Sequence, residues 1–173
     1  TTGKRLGILG MGRVGQVVAQ RARGFEMKIH YHNRRPLDGE QAGDSVYHDS
    51  VESLLESVDV LSIHCPAMES THGLINGKRL ALMHADSILV NTSRGGVIDD
   101  DALVAALNDG AIGAAGLDVF NGEPDGIHAG YRELDNVFLL PHIGSATHET
   151  REAIGFRAIA NLAATFAAAE PRH

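Results

Sequence analysis

Short apolar runs alternate with amphipathic stretches along most of the chain. Arg5 to Leu9 reads as a buried strand, and Met27 to His32, Val58 to Ile63, Ser87 to Asn91, Ala114 to Val119 and Val137 to Leu140 repeat that pattern. Helices are predicted between them. The first runs near Arg13 to Arg23, with Val14, Val17, Val18 and Ala22 on one face and Gly24 as its stop. Val51 to Ser57 follows, capped by Ser50, then Lys78 to Met83, then Asp101 to Asn108, capped by Asp99 and stopped by Gly110. Pro66 ends the third strand. A long alanine-rich helix is expected from about Thr147 to Ala169, stopping before Pro171; its composition is that of a good helix former, not of a linker. There is no internal repeat. Strands alternating with helices predict an α/β protein whose parallel sheet is joined by right-handed crossovers.

Chemistry enters at the end of the first strand, in Gly10-Met11-Gly12-Arg13-Val14-Gly15. Gly10 permits a tight turn. Gly12 lets the backbone approach a pyrophosphate, and Gly15 lets the following helix pack on the sheet. The helix N-terminus then presents free N–H groups to phosphates. With 20 glycines in the chain such spacings arise by chance. An apolar strand before the turn and an amphipathic helix after it raise the reading to a dinucleotide site in a Rossmann-type, doubly wound sheet. The whole chain, 1–173, reads as that one domain.

The tip of the second strand is Tyr31-His32-Asn33-Arg34-Arg35-Pro36. It lacks the acid that takes ribose hydroxyls in NAD-binding proteins. Asn33 can bond a hydroxyl or phosphate oxygen, and Arg34 and Arg35 supply charge-assisted contacts to a 2′-phosphate. The tip therefore favours NADP over NAD, against the plainer alternative of two solvated surface charges.

Three polar residues fall just past later strands: Arg94, Glu123 and His142. Each alone has a bland role as a loop charge, a turn acid or a buried histidine. Together they suit a site at the carboxyl ends of the strands. A carboxylate beside a histidine fixes its tautomer and favours its protonated form. A guanidinium forks onto a carboxylate and polarises a neighbouring carbonyl.

Bulk composition narrows the partners. The 173 residues are 43% hydrophobic, enough for one core. The net charge of −7, without a basic run, argues against nucleic acid and anionic membrane surfaces. No apolar run approaches spanning length, and Thr1-Thr2-Gly3-Lys4 is not a signal peptide. The single cysteine, Cys65, excludes an internal disulfide and fits a reducing, cytoplasmic setting.

The segments Leu9 to Gly15, Val90 to Asp99, Gly116 to Pro124 and Leu140 to Thr147, in order and spanning nearly the whole chain, resemble the D-isomer-specific 2-hydroxyacid dehydrogenases. Within that family, the Asn33-Arg34-Arg35 tip and the stretch His142-Ile143-Gly144-Ser145-Ala146-Thr147 most resemble glyoxylate/hydroxypyruvate reductases. The resemblance implies that Arg94 holds the substrate's carboxylate and carbonyl, that His142 is the acid–base and that Glu123 pairs with it. It places Asp118 at the nicotinamide carboxamide, Thr92 and Ser93 in the same pocket, Gly144 beside it, and His64-Cys65-Pro66 at the adenine. For Cys65 alone, ordinary packing is the simpler reading. The implied reaction is reduction of a small 2-oxo acid by hydride transfer to C2, with proton delivery from His142. The family's enzymes add a substrate domain built from both ends of the chain, and this sequence is expected to carry only the nucleotide-binding part. The expectation is a cofactor-binding fragment whose open face promotes association, and, since the family pairs through this domain, a homodimer.

A second class of function is a dinucleotide-sensing module of the corepressor kind, which shares the fold. Adenosylhomocysteinase-like and alanine dehydrogenase-like domains are further rivals, and the ordered Arg94, Glu123, His142 set argues against both. His30, His32 and His148 gather no further ligand, so no metal site is expected. No nucleophile motif and no P-loop stand out.

Overall fold

The computed structural model describes residues 2–169; Thr1, Pro171 and the rest of the C-terminal tail lie outside the described residues. Two compact units divide at Pro141 and His142.

The first unit is a seven-stranded, wholly parallel sheet in the order β3-β2-β1-β4-β5-β6-β7. Its strands are β1 (Arg5–Leu9), β2 (Lys28–His32), β3 (Val46–Tyr47), β4 (Val60–Ile63), β5 (Ile88–Asn91), β6 (Ala114–Leu117) and β7 (Val137–Leu139). The helices are α1 (Arg13–Arg23), α2 (Gly39–Ala42), α3 (Val51–Ser57), α4 (Gly77–Leu80) and α5 (Asp100–Asn108). From β1 the chain steps one way to β2 and β3, then crosses back to β4 and runs outward to β7. That reversal leaves a crevice at the carboxyl ends of β1 and β4.

Helices on both faces make the central strands continuously apolar. One core joins Leu6, Ile8, Met11, Ala19, Ala22, Ile29 and Tyr31 under α1. The other packs Leu54, Leu55, Leu61, Ile63, Leu89, Leu103 and Leu107 under α3 to α5. Capping follows the sequence. Ser50 accepts from the Ser53 N–H at 3.1 Å, Asp99 accepts from the Ala102 N–H at 3.1 Å, and Gly110 takes φ +67° after α5.

The α1 face differs from expectation. Its buried residues are Gly15, Ala19 and Ala22, while Val14 and Val17 are 64% and 42% exposed. The cause is Gly15: a Cβ there would lie 2.7 Å from the Gly10 carbonyl oxygen and 3.0 Å from Ile8. The helix turns its small residues to the sheet to approach that closely, which rotates the valines outward. The helix expected over Lys78 to Met83 is also shorter and starts earlier, because Asn76 caps it by accepting from the Arg79 N–H at 3.2 Å.

At the opposite end of the sheet, Arg5 and Asp59 lock the starts of β1 and β4. The Arg5 guanidinium donates to both Asp59 oxygens, at 3.1 and 2.8 Å, and the Arg5 backbone N–H donates at 2.8 Å. These donors hold the Asp59 carboxyl well below the usual carboxylate range. A depressed carboxyl stabilises the fold fully above the unfolded value, near about pH 4, and loses that contribution as pH falls through the lower folded value. Asp59→Asn is therefore expected to cost about 1 kcal/mol at neutral pH, a figure scaled to a partly solvated pair. Denaturant titrations of both proteins at neutral and acid pH check this. The gap should close in acid, and a gap independent of pH would assign it to packing instead.

The second unit holds α6 (His148–Ala169), whose first turn is closed by the Thr147 hydroxyl accepting from the Thr150 N–H at 3.2 Å. Ile154, Phe156, Ile159, Leu162 and Phe166 are exposed along it. No helix among the described residues is long and apolar enough to cross a membrane.

Candidate active site

A groove of about 950 Å³ opens at the β1–β4 crevice. Gly10 and Gly12 form its floor after β1, Asn33, Arg34 and Arg35 its rim after β2, and His64, Cys65 and Pro66 its wall after β4. Its volume is at the upper end for ligand pockets, as an extended ligand demands. Gly10 takes φ +94°, and a Cβ there would lie 2.7 Å from the Cys65 backbone nitrogen, so the turn after β1 presses directly on the chain leaving β4. Gly12 has nothing within 4 Å of where its Cβ would be, which leaves room for a ligand against the backbone. Arg13 and Val14 begin α1 beside this opening, and Gly15 lies behind it as a packing residue.

Asn33 has a task that its position in the sequence did not suggest. Its Oδ1 accepts from the Met11 N–H at 2.7 Å and its Nδ2 faces the Met11 carbonyl at 3.4 Å, so it pins the glycine turn to the tip of β2. His32 also lines the groove, with Nδ1 bonded to the His48 carbonyl at 2.9 Å and its ring stacked on Tyr47. His30 bonds His48 ring to ring at 2.9 Å, and burial pushes both of those imidazoles toward the neutral form. His48, on the loop before α3, was invisible in the sequence because it meets β2 only through the fold. Among the described residues no group of three or more His, Cys, Asp or Glu side chains could hold a metal ion.

His64 bonds the Ser62 hydroxyl through Nε2 at 2.8 Å, and burial lowers its pKa, which keeps the ring neutral. The same desolvation pushes the Cys65 thiol up, so that side chain, packed against the larger core, stays protonated.

Past β5 the polypeptide turns around Asn91, which is fully buried. Its Oδ1 accepts from Ser93 N–H and Oγ at 3.0 and 2.9 Å, and its Nδ2 donates to the Arg94 carbonyl at 2.9 Å. Thr92 and Arg94 are thereby left exposed, with Ser93 half-buried between them, and the Arg94 guanidinium reaches back to the Ser93 carbonyl at 2.6 Å. Asp118 follows β6 and is 4% exposed, its N–H donating to the Asn91 carbonyl at 3.0 Å. Glu123 is exposed, precedes a cis bond to Pro124 and accepts from the Phe120 N–H through Oε1. His142 and Gly144 belong to the second unit, and His142 stands in the left-handed region at φ 54°. Such backbone is uncommon outside glycine and clusters at functional positions.

A doubly wound parallel sheet with a glycine-turned groove at its switch point defines a dinucleotide-binding domain. A model of the D-isomer specific 2-hydroxyacid dehydrogenase NAD-binding domain matches residues 1–144, and the chain belongs to that family. The glyoxylate/hydroxypyruvate reductase B of Yersinia pestis is 47% identical over 160 residues, covering 92% of this chain and 49% of that protein. The crystal structure of an NADPH-dependent glyoxylate/hydroxypyruvate reductase from Sinorhizobium meliloti, in complex with NADP and malonate, is similar with a TM-score of 0.90 at 37% identity, covering 95% of this chain and 50% of that one. A glyoxylate reductase from Paecilomyes thermophila is similar with a TM-score of 0.88 at 43% identity, covering 93% and 48%. The chain spans about half the length of the relatives it matches.

Proposed function

We propose that this chain is the cofactor half of an NADP(H)-preferring reductase that converts a small 2-oxo acid of the glyoxylate or hydroxypyruvate kind to the D-2-hydroxy acid. The observation that carries it is the groove. It joins an open glycine turn to a rim bearing Arg34 and Arg35 and no acid, the chemistry a 2′-phosphate needs. Gly10, Gly12 and the start of α1 would take the pyrophosphate, His64, Cys65 and Pro66 the adenine end, and Thr92, Ser93, Asp118 and Gly144 the nicotinamide end. Bound there, the dinucleotide supplies a hydride. The protein's part is to hold the acid and to handle charge and proton. Arg94 forks onto the substrate carboxylate and draws charge onto the carbonyl oxygen. His142 delivers the proton to that oxygen, and Glu123 as its partner favours the charged imidazole. A substrate domain of the family's kind would close over the site and exclude water.

A homodimer in the cytoplasm extends this reading, supported by the family's habit of pairing through this domain and by a single free cysteine. No observation favours a purely sensing role. The test pairs two measurements. Calorimetric titration of the chain with NADPH and NADH should show binding, tighter for NADPH. Loss of NADPH absorbance on adding glyoxylate or hydroxypyruvate to the full-length protein should show turnover. Binding without turnover on any 2-oxo acid would revive the sensing module.

A further inference from the structure

The loop that leaves β6 carries Glu123 and returns through a short 3-10 turn, Ala129–Glu133, which packs against α5. One carboxylate holds both of its limbs. Asp100, the first residue of α5, accepts from Asn121 Nδ2 at 3.0 Å through Oδ2 and from the Tyr131 hydroxyl at 2.7 Å through Oδ1. Asn121 Nδ2 also reaches the Ile98 carbonyl at 3.3 Å. Tyr131 is 1% exposed, and burial together with the bond to Asp100 raises its phenol far above the ordinary range, so the hydroxyl remains a donor at every physiological pH. Of the two neighbouring acids, Asp99 caps α5, and Asp101, itself exposed, adds an outer contact to the returning limb through His128 at 3.0 Å.

The same loop is pressed onto the segment behind Arg94. A Cβ on Gly95 would lie 2.0 Å from the Phe120 carbonyl carbon and 2.4 Å from the Asn121 nitrogen, so the two backbones touch. The Phe120 N–H in turn donates to Glu123. A continuous line of bonded and touching groups thus runs from Asp100 through Asn121 and Phe120 to Glu123, with Gly95 setting its distance from Arg94.

We propose that Asp100 is a positioning residue: its carboxylate clamps the Glu123 loop against the Arg94 loop while touching neither substrate nor cofactor. The inference rests on the reading of Arg94 and Glu123 as reacting-site residues. Freed of the clamp, the loop shifts Glu123, and misplacement by about an ångström is enough to cost up to about a hundredfold in rate.

The test compares Asp100→Ala, Asn121→Asp and the exchange double variant Asp100→Asn/Asn121→Asp in the full-length protein. Asn121→Asp sets two carboxylates face to face. The exchange moves the amide to the helix and the carboxylate to the loop, so one N–H···O bond re-forms and the amide oxygen still accepts from Tyr131. Each single variant should lose at least about tenfold in kcat while its KM for NADPH stays within about twofold, because the pyrophosphate and adenine ends of the groove lie after β1, β2 and β4 and Asp118 is held to β5 by its own bond to the Asn91 carbonyl; the exchange should recover most of kcat. Unchanged kcat in the single variants, a parallel loss in KM for NADPH, or an exchange variant no better than the singles would overturn the proposal. Hydrogen exchange at the Phe120 amide reads the clamp without turnover. It should quicken in both single variants and slow again in the exchange. If the unmodified protein reduces no 2-oxo acid, the reading of the site fails, and the Phe120 amide then decides alone whether Asp100 holds the loop, with unchanged exchange overturning the clamp as well.

Discussion

His142→Gln is expected to abolish 2-oxo acid reduction while leaving NADPH affinity unchanged. The residue begins the second unit, in left-handed backbone, directly after Pro141. Glutamine keeps hydrogen-bonding capacity and much of the volume, yet it cannot exchange a proton near neutral pH. The loss should therefore fall on kcat, by about 10²–10⁴-fold, the usual worth of a positioned general acid. Steady-state rates with glyoxylate, beside a fluorescence titration with NADPH, separate the two effects. Turnover within a few-fold of the unmodified protein would give proton delivery to another group. A fall in NADPH affinity as large as the fall in rate would instead mark a damaged domain.

The second large effect concerns the rim. Arg34 and Arg35 flank the groove after β2, and no carboxylate lies among the residues that form it. Removing both as Arg34→Ala/Arg35→Ala takes away the charge that a 2′-phosphate would meet but nothing that a ribose hydroxyl requires. Charge-assisted bonds contribute about 1.5–3 kcal/mol each, so NADPH binding should weaken by about a hundredfold or more. NADH binding should change by a few-fold at most. Raising the salt concentration should weaken NADPH binding to the unmodified protein and have little effect on the double variant. Equal losses for the two cofactors would mean that the arginines are solvated rim charges and that selectivity lies elsewhere.

Much of the scaffold is legible in the sequence because it is local. A buried parallel strand is a run of apolar residues, and β1, β4, β5 and β6 are such runs. Ser50 and Asp99 announce their helices because a cap acts three residues away. The glycine turn is readable for the same reason. What escapes is whatever depends on partners far along the chain. The two-residue strand β3 has no periodicity of its own and exists by pairing with β2. The outward turn of the α1 valines is not written in the sequence because the helix is oriented by Gly15 against Gly10 and Ile8, a contact that no helical wheel contains. Asn91 reads as one more residue at a strand end, yet it is fully buried and shapes the loop that presents Arg94. Asp100 sits in a row of three aspartates. Only the fold shows that the middle one faces Asn121 and Tyr131, 21 and 31 positions away.

The two ends of the sheet bear on how copies of this domain can meet. β3 has two residues and β7 three, so each border offers only a few unpaired backbone groups. Borders that short resist recruiting a foreign strand, a common defence against runaway polymerisation. A pair of these domains consequently has little to gain by extending one sheet into the next. Any twofold assembly would have to use side chains on helices and loops, where specificity can be altered without disturbing the strands that carry the groove.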